Sequence, residues 1–331
     1  MKKQREKRIL VINFGGIGDE ILFLPTIISL KKEFPDSHIT LALEPRSRGI
    51  ADLTDKIDDL ILVDLKCGNK YFELLKLVFK AWFGRFDMVI SSGANKFIPI
   101  LLAGMGIRKR YGYDSGKLSQ MLLTQTIFLN KNQYAVNMYH DLITPITSQH
   151  TDLPEINVER FPIVENSVLI HPGVSKISVE KNMIKTIGAD IWADVVQKLA
   201  QSGKKVRLVG GPDDKECIEK IVELCSDVDF ENLYGTTKNL KELAQLISSA
   251  EKFLCSDSAP LHVAVALGVK TYAIFGPTDD KKLIPSSVVA VKANDKCPLK
   301  PCLWERRQTS CEKLDCLKIS AQDIVDLILS V

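Results

Sequence analysis

The stretch Arg8-Ile9-Leu10-Val11-Ile12-Asn13-Phe14-Gly15-Gly16-Ile17-Gly18-Asp19 is a short apolar run that breaks into glycines and then into a helical pattern reaching Phe34. A run of this length bounded by glycines reads as a buried parallel strand, and the change of period after it marks a strand–turn–helix unit. His38–Leu43, Leu60–Val63 and Asp87–Ser91 repeat the strand signal, with helical patterns at Tyr71–Phe83 and Lys96–Ala103 between them. The alternation loosens through Arg108–Pro162, where Tyr134–Ile146 reads as one more helix. It restarts at Val168–His171, Lys205–Gly210, Lys252–Ser256 and Lys270–Phe275, separated by helical segments at Asp190–Gln201, Lys215–Cys225, Leu240–Ser249 and Leu261–Leu267. Two such sets predict an α/β protein of two doubly wound parallel-sheet domains.

The boundary is expected around Phe161–Asn166, where Pro162 and Glu165 break the pattern. This gives domains at 1–162 and 163–319, followed by a helix within 320–331 that starts at an N-cap Ser320 and is expected to return toward the N-terminal domain. A length of 331 residues fits two domains, and 45% hydrophobic with 26% charged residues excludes disordered and rod-like classes. The net charge of +3 gives no support to a nucleic-acid partner. The residues through 160 carry +4 and the remainder −1, a mild basic excess in the first half.

No segment has the roughly 18 consecutive apolar residues of a membrane span. The basic start (Lys2, Lys3, Arg5, Lys7, Arg8) runs into a strand rather than a signal-peptide core. It reads as a solvated tail or as a contact with an anionic membrane surface, and the expected location is cytoplasmic.

In open α/β sheets ligands lie beyond the carboxyl ends of the strands, so the residues after each strand carry most weight. The first turn is not a dinucleotide fingerprint, because the third glycine position is Ile21. Asp19 either caps the helix or serves as a fixed carboxylate able to take a proton from an attacking hydroxyl. In the second half, His171-Pro172-Gly173-Val174-Ser175 follows a strand, then come Lys176, Lys181, Lys185 and Trp192. Gly210-Gly211-Pro212-Asp213-Asp214 follows the next strand, and Ser256-Asp257-Ser258-Ala259-Pro260-Leu261-His262 leads into a helix. Asp257 or Ser258 could be simple caps and His262 a core residue. A helix N-terminus with Ser and His at its mouth and a lysine opposite is also a diphosphate site.

Taken in order, these motifs together with Phe275-Gly276-Pro277-Thr278 and the C-terminal cysteines resemble glycosyltransferase family 9, the bacterial heptosyltransferases of the lipopolysaccharide core. The resemblance covers nearly the whole chain. It implies a GT-B fold of two Rossmann-like domains facing a cleft, with the acceptor in the N-terminal domain and the nucleotide sugar in the C-terminal one. It further implies inverting, metal-independent transfer of heptose from ADP-heptose to a glycolipid acceptor at the inner face of the cytoplasmic membrane, with no cofactor required. A related nucleotide sugar, another surface glycan, or a non-catalytic nucleotide-sugar binding protein are the alternatives.

Carried over by position, Asp19 matches the family's base, Ser175 a phosphate-contacting hydroxyl, and Lys185 the family lysine, with Lys181 second. Asp214 matches a nucleoside contact, and Asp257, Ser258, Ala259 and His262 fill the donor motif. The chain departs from the family's pattern at three places: Lys185-Thr186-Ile187-Gly188 where the family commonly has Lys-Arg-Trp-Pro, Ala259 for a glycine, and Asp280 for a proline. Without a metal, Lys185, Ser175 and the helix end near Ser258 must stabilise the leaving diphosphate. Asp227-Val228-Asp229, with the spacing of a metal-binding pair, reads as a solvated loop.

Gly16 and Gly18 are expected near the acceptor, with Arg46, Arg48, Arg108 and Arg110 as anion contacts or as a merely solvated cationic face. Cys297, Cys302, Cys311 and Cys316 read as reduced thiols, a structural zinc site or two disulfides, with basic neighbours Lys296, Lys300, Arg306 and Arg307 favouring thiolates.

Overall fold

The computed structural model describes residues 6–66, 68–293, 297–303 and 311–330. The chain divides into two compact units, Met1–Asn157 and Val158–Val331. The division falls a few residues before the expected boundary.

The first unit runs β1 (Arg8–Ile12), α1 (Ile17–Glu33), β2 (His38–Leu43), β3 (Asp59–Leu62), α2 (Lys70–Gly84), β4 (Met88–Ser91), α3 (Ile98–Gly104), β5 (Lys109–Tyr113), α4 (Lys117–Leu122), β6 (Gln125–Ile127) and α5 (Ala135–His140). All strands pair in parallel in the order β3-β2-β1-β4-β5-β6. Buried on both faces, β1 is apolar after its first residue, as parallel strands require. Leu77 and Ala81 of α2 with Ile98 and Leu102 of α3 pack on Leu10, Ile12 and Val89 of the sheet. The helix α1, apolar around most of its surface, is buried from Glu20 to Leu30 and packs against α5.

The second unit runs β7 (Val164–His171), α6 (Lys176–Glu180), α7 (Ala189–Gln201), β8 (Lys205–Leu208), α8 (Lys215–Leu224), β9 (Glu231–Asn232), α9 (Leu240–Ser248), β10 (Ala250–Ser256), α10 (Ala259–Leu267), β11 (Lys270–Phe275), α11 (Asp280–Leu283), β12 (Val289–Lys292) and α12 (Ala321–Leu329). Its parallel sheet has the order β12-β11-β10-β7-β8-β9, which is the same doubly wound order as the first. Each sheet therefore reverses strand order at one point, between β1 and β4 and between β7 and β10. Those are the places where α/β sheets bind ligands.

Two expectations change in the folded chain. Tyr134–Ile146 is not one helix: α5 ends at His140 and a short 3-10 turn, Asp141–Ile143, follows. The last helix begins at Ser320, whose hydroxyl accepts the Asp323 N–H as expected. Rather than leaving the second unit, α12 buries Ile324, Val325 and Ile328 beside Trp192 and Val195 of α7. Lys252 Nζ donates to the Ile328 carbonyl at 2.7 Å, a cation at the helix C-terminus where the dipole favours it. No helix among the described residues is long and apolar enough to cross a membrane.

Candidate active site

Asp19 sits in the first turn of α1, just past the carboxyl end of β1. Its Oδ2 accepts the Gly16 N–H at 2.8 Å, and the Tyr139 hydroxyl donates toward Oδ1 at 3.5 Å. Burial and the Asp19 charge hold the Tyr139 phenol well above its ordinary pKa, so it stays a donor. A Cβ on Gly15 would collide with the Asp19 side chain, so the chain passes here only as glycine. Asp19 is half-buried. Its carboxylate closes the first turn and is held in one orientation by these two donors.

Gly18 lies inside α1, and Gly16 immediately precedes it. The Arg46 guanidinium stands beside Gly16, 3.7 Å from where a Cβ there would be, and its Nε donates to Glu44 at 2.7 Å. Arg48 is exposed on the same 3-10 segment, Pro45–Leu53, beyond β2. These two arginines share the sheet edge of Asp19.

Arg108 and Arg110 do not. The basic run Arg108-Lys109-Arg110 opens β5, and Lys109 is level with Met88 at the start of β4. It therefore lies at the amino-terminal edge of the sheet, opposite the ligand edge. Arg110 donates from Nε to the Leu122 carbonyl and from Nη1 to that of Ile107, both at 2.6 Å. Its fork joins the end of α4 to the connection between α3 and β5, which corrects its reading as an acceptor contact.

Glu20, next to the expected base, was not singled out in the sequence. It is 1% exposed, and neither carboxyl oxygen has a hydrogen-bond partner of good geometry. Burial first and then the Asp19 charge push its pKa well above the carboxylate range, against weaker pulls from Asn13, the Gly15 backbone and Arg46. Glu20 is accordingly a buried carboxyl behind Asp19 whose surroundings favour its protonated form. A polar residue at an otherwise apolar position of α1 was the available signal.

In the second unit Lys185 Nζ lies 3.3 Å from Asp257 Oδ2, and the Thr278 hydroxyl donates to the same oxygen at 2.8 Å. Asp257 therefore does not cap α10. Ser258 occupies the N-cap position, but its side chain makes no cap hydrogen bond. Pro260 has no N–H and the Leu261 N–H donates to the Ser258 carbonyl at 3.1 Å, so the amino-terminal end of α10 offers the Ala259 N–H and its dipole near Lys185 at the end of β10. His262 is buried in the following turn. Lys181 is exposed, and no ion pair to it occurs among the described residues.

Thr186 and Thr278 stand in the quoted motifs without a role, and the structure gives each one. The Thr186 hydroxyl donates to the Pro172 carbonyl at 2.7 Å and accepts the Trp192 indole N–H at 3.0 Å, with Ser256 Oγ at 2.7 Å. It joins the ends of β7 and β10 to α7 and so fixes the backbone that carries Lys185. The departure from the family's pattern is here a structural fastener. Asp280 is another, paired with Lys292 at 2.8 Å.

Asp214 is buried. Its Oδ2 accepts the Gly211 N–H at 2.8 Å and faces His171 Nε2 at 3.4 Å. A Cβ on Gly173 would overlap its carboxylate, which explains glycine in the His-Pro-Gly turn. Burial raises the Asp214 pKa and lowers that of His171. Asp214 thus ties two loops together, while its neighbour Asp213 is exposed and accepts the Lys176 N–H at 2.9 Å. Ser175 is exposed, with its Oγ 3.0 Å from that of Ser178.

Cys297, Cys302, Cys311 and Cys316 line one cavity of about 540 Å³. Among the described residues no three His, Cys, Asp or Glu side chains come together as metal ligands. Burial, with Cys297 and Cys311 nearby, raises the Cys302 thiol, opposite to the thiolate expected from basic neighbours. Of those neighbours, Lys296, Arg306 and Arg307 lie outside the described residues. Asp227-Val228-Asp229 lies in a loop after α8.

The sequence profile of Glycosyltransferase family 9 (heptosyltransferase) matches residues 80–313. The chain is 26% identical over 284 residues to lipopolysaccharide heptosyltransferase 3 of Escherichia coli, covering 79% of this chain and 80% of that protein. The solved structure of E. coli ADP-heptose lps heptosyltransferase II aligns with a TM-score of 0.73 at 18% identity, covering 98% of each chain. E. coli heptosyltransferase WaaC with ADP-2-deoxy-2-fluoro heptose aligns at 0.74 and 15%, covering 97% of this chain and 98% of that one. At such identities the structural likeness speaks for the fold, the two doubly wound sheets described above. The profile, however, spans well over half of the chain, and on that ground the chain belongs to glycosyltransferase family 9 and is a glycosyltransferase.

Proposed function

We propose that the protein transfers heptose from ADP-heptose to a lipopolysaccharide core acceptor, with inversion and without a metal ion. The observation that carries this reading is Asp19, a carboxylate fixed by the Gly16 N–H at the ligand edge of the first sheet. The acceptor hydroxyl gives its proton to Asp19 as its oxygen bonds to the anomeric carbon. The bond from that carbon to the diphosphate breaks, and ADP leaves. A positioned base of this kind contributes roughly 10²–10⁴ in rate.

On the leaving side, Lys185 and the amino-terminal end of α10, with the Ala259 N–H and the helix dipole, offer fixed positive charge for the diphosphate, and Ser175 offers a hydroxyl. Asp257 and Thr278 hold Lys185 in place, so Asp257, Ser258, Ala259 and His262 form the donor end. The curated relative is a lipopolysaccharide heptosyltransferase and the solved WaaC carries an ADP-heptose analogue, which supports this donor and acceptor class. Ala259, with a methyl group where the family has glycine, favours a related nucleotide sugar as the second reading.

The test is product analysis after incubation with ADP-heptose, other nucleotide sugars and a core glycolipid. Transfer from ADP-heptose with an inverted anomeric centre, unchanged by chelator, is the expected result. Strict dependence on added Mg²⁺ or Mn²⁺ contradicts the metal-free mechanism, and transfer only from another sugar nucleotide replaces the donor.

A further inference from the structure

The helix α2 has two apolar sides where one would bury it. Leu74, Leu77, Val78 and Ala81 recur at helical spacing and pack on the sheet core. A second stripe, Phe72, Leu75, Phe79, Trp82 and Phe83, is 44–82% exposed. The stripe continues onto α3, whose neighbouring Phe97 and Ile100 are 78% and 50% exposed. Trp82 marks the join, donating its indole N–H to the Gly104 carbonyl at 2.8 Å. A full aromatic side chain presents roughly 150–250 Å², so this surface is on the order of several hundred Å², large enough to mark a docking site.

Its charge names the occupant. The third side of α2 carries Lys76 and Lys80, with Lys70 at its start, and Glu73 is the only acid on the helix. Glu73 bonds Lys76 at 2.6 Å. Lys96 precedes the α3 end of the stripe and is exposed. Phe and Trp bordered by lysine is the composition of a helix that lies in a bilayer interface, its rings entering about 5–10 Å below the headgroups of anionic lipid. A protein partner matched to the same stripe would have to be both apolar and acidic. Both helices start beyond the carboxyl ends of β3 and β4, so the surface begins at the sheet edge that carries Asp19.

We propose that the outer side of α2 and α3 is a docking surface for an anionic lipid bilayer. It stands on this surface alone and not on the transfer reaction. Vesicle binding is read with neither donor nor acceptor present, so its failure would leave the proposed transfer untouched.

The experiment is co-sedimentation of the full chain with vesicles of phosphatidylethanolamine and phosphatidylglycerol, beside vesicles of phosphatidylcholine alone. Binding is expected to the anionic vesicles and to fall with added salt. The double variant Phe72→Gln/Phe83→Gln is expected to bind at least about tenfold more weakly, from lost apolar insertion. Lys76→Glu/Lys80→Glu is expected to lose a similar factor on anionic vesicles only. All these side chains are exposed, so an unchanged melting temperature and circular dichroism spectrum confirm folding. Spin-labelled lipid is expected to quench tryptophan emission, and the quenching to disappear in Trp82→Phe. Wild-type protein that stays in the supernatant, or a double variant that binds as well as wild type, overturns the proposal. A dimer in sedimentation velocity that the double variant dissolves, without vesicle binding, would give the surface to a second copy of the chain and overturn it equally.

Discussion

Lys185 Nζ and Asp257 Oδ2 stand 3.3 Å apart, joining the loop before α7 to the turn after β10. Lys185 is the partner with solvent access, its side chain 21% exposed against 4% for Asp257. Its ammonium is therefore pinned at one point while part of the side chain still reaches solvent. Lys185→Ala should weaken ADP binding by about ten- to a hundredfold, the equivalent of roughly 1.5–3 kcal/mol for one charge-assisted contact. Lys181→Ala should change it little. Calorimetric titration of both variants checks the pair, and a larger loss in Lys181→Ala would reverse the assignment.

Asp19→Asn keeps the size of the side chain and its contact with the Gly16 N–H. Folding and ADP affinity should stay near wild type while transfer falls about 10²-fold or more. Turnover measured beside donor affinity decides it, and near-normal turnover would remove Asp19 as the base.

Glu20 should make the protein less stable as pH rises. Its folded-state pKa is raised by burial, so the native chain holds a proton that the unfolded chain releases above about pH 4.3. Stability contributed by that proton is complete below the unfolded value and declines as pH climbs toward the folded one. Glu20→Gln, neutral at every pH, should raise the melting temperature at pH 7 by at least a few degrees and change little at pH 4, because each tenfold difference in proton affinity is worth about 1.4 kcal/mol. Thermal melts of both proteins across this range test it. An equal difference at both ends would show that Glu20 is not held neutral.

Thr186→Val should cost about 1–3 kcal/mol, because the Trp192 N–H and the Pro172 carbonyl lose their shared partner in a buried place. Thermal denaturation should show the loss, and Thr186→Ser should recover most of it. Equal stability of the Val and Ser variants would mean that the hydroxyl does not join the two strand ends.

The cavity-lining cysteines should behave as thiols. Protein purified without chelator should contain less than one metal ion per chain and give eight reactive thiols in denaturant. Stoichiometric zinc or iron, measured by elemental analysis, would instead make the four a metal centre.

Much of the fold was legible from local pattern. The run Arg8–Ile12 followed by glycines could only be a buried strand entering a helix, and Ser320 with Asp323 marked a helix start that the structure repeats. Period and capping are properties of neighbouring residues, so a sequence displays them directly. Asp19 stands in the turn after the first strand, a position that the local pattern displays, whereas Lys185 is singled out in the sequence by its spacing to Trp192 under the family resemblance, and only the folded chain puts it beside Asp257. What only the tertiary structure decided depends on segments far apart. Arg108-Lys109-Arg110 read as a cationic loop because β5 is short and half polar, and only its register with Met88 puts these residues at the opposite edge of the sheet. Glu20 looks like any helical glutamate until α5 and the sheet close around α1 and remove it from water. The aromatic residues of α2 read only as part of a helical pattern, because a helix with apolar residues on two sides does not say which side meets the sheet. Packing against Leu10, Ile12 and Val89 chose one side, and left Phe72 to Phe83 facing out.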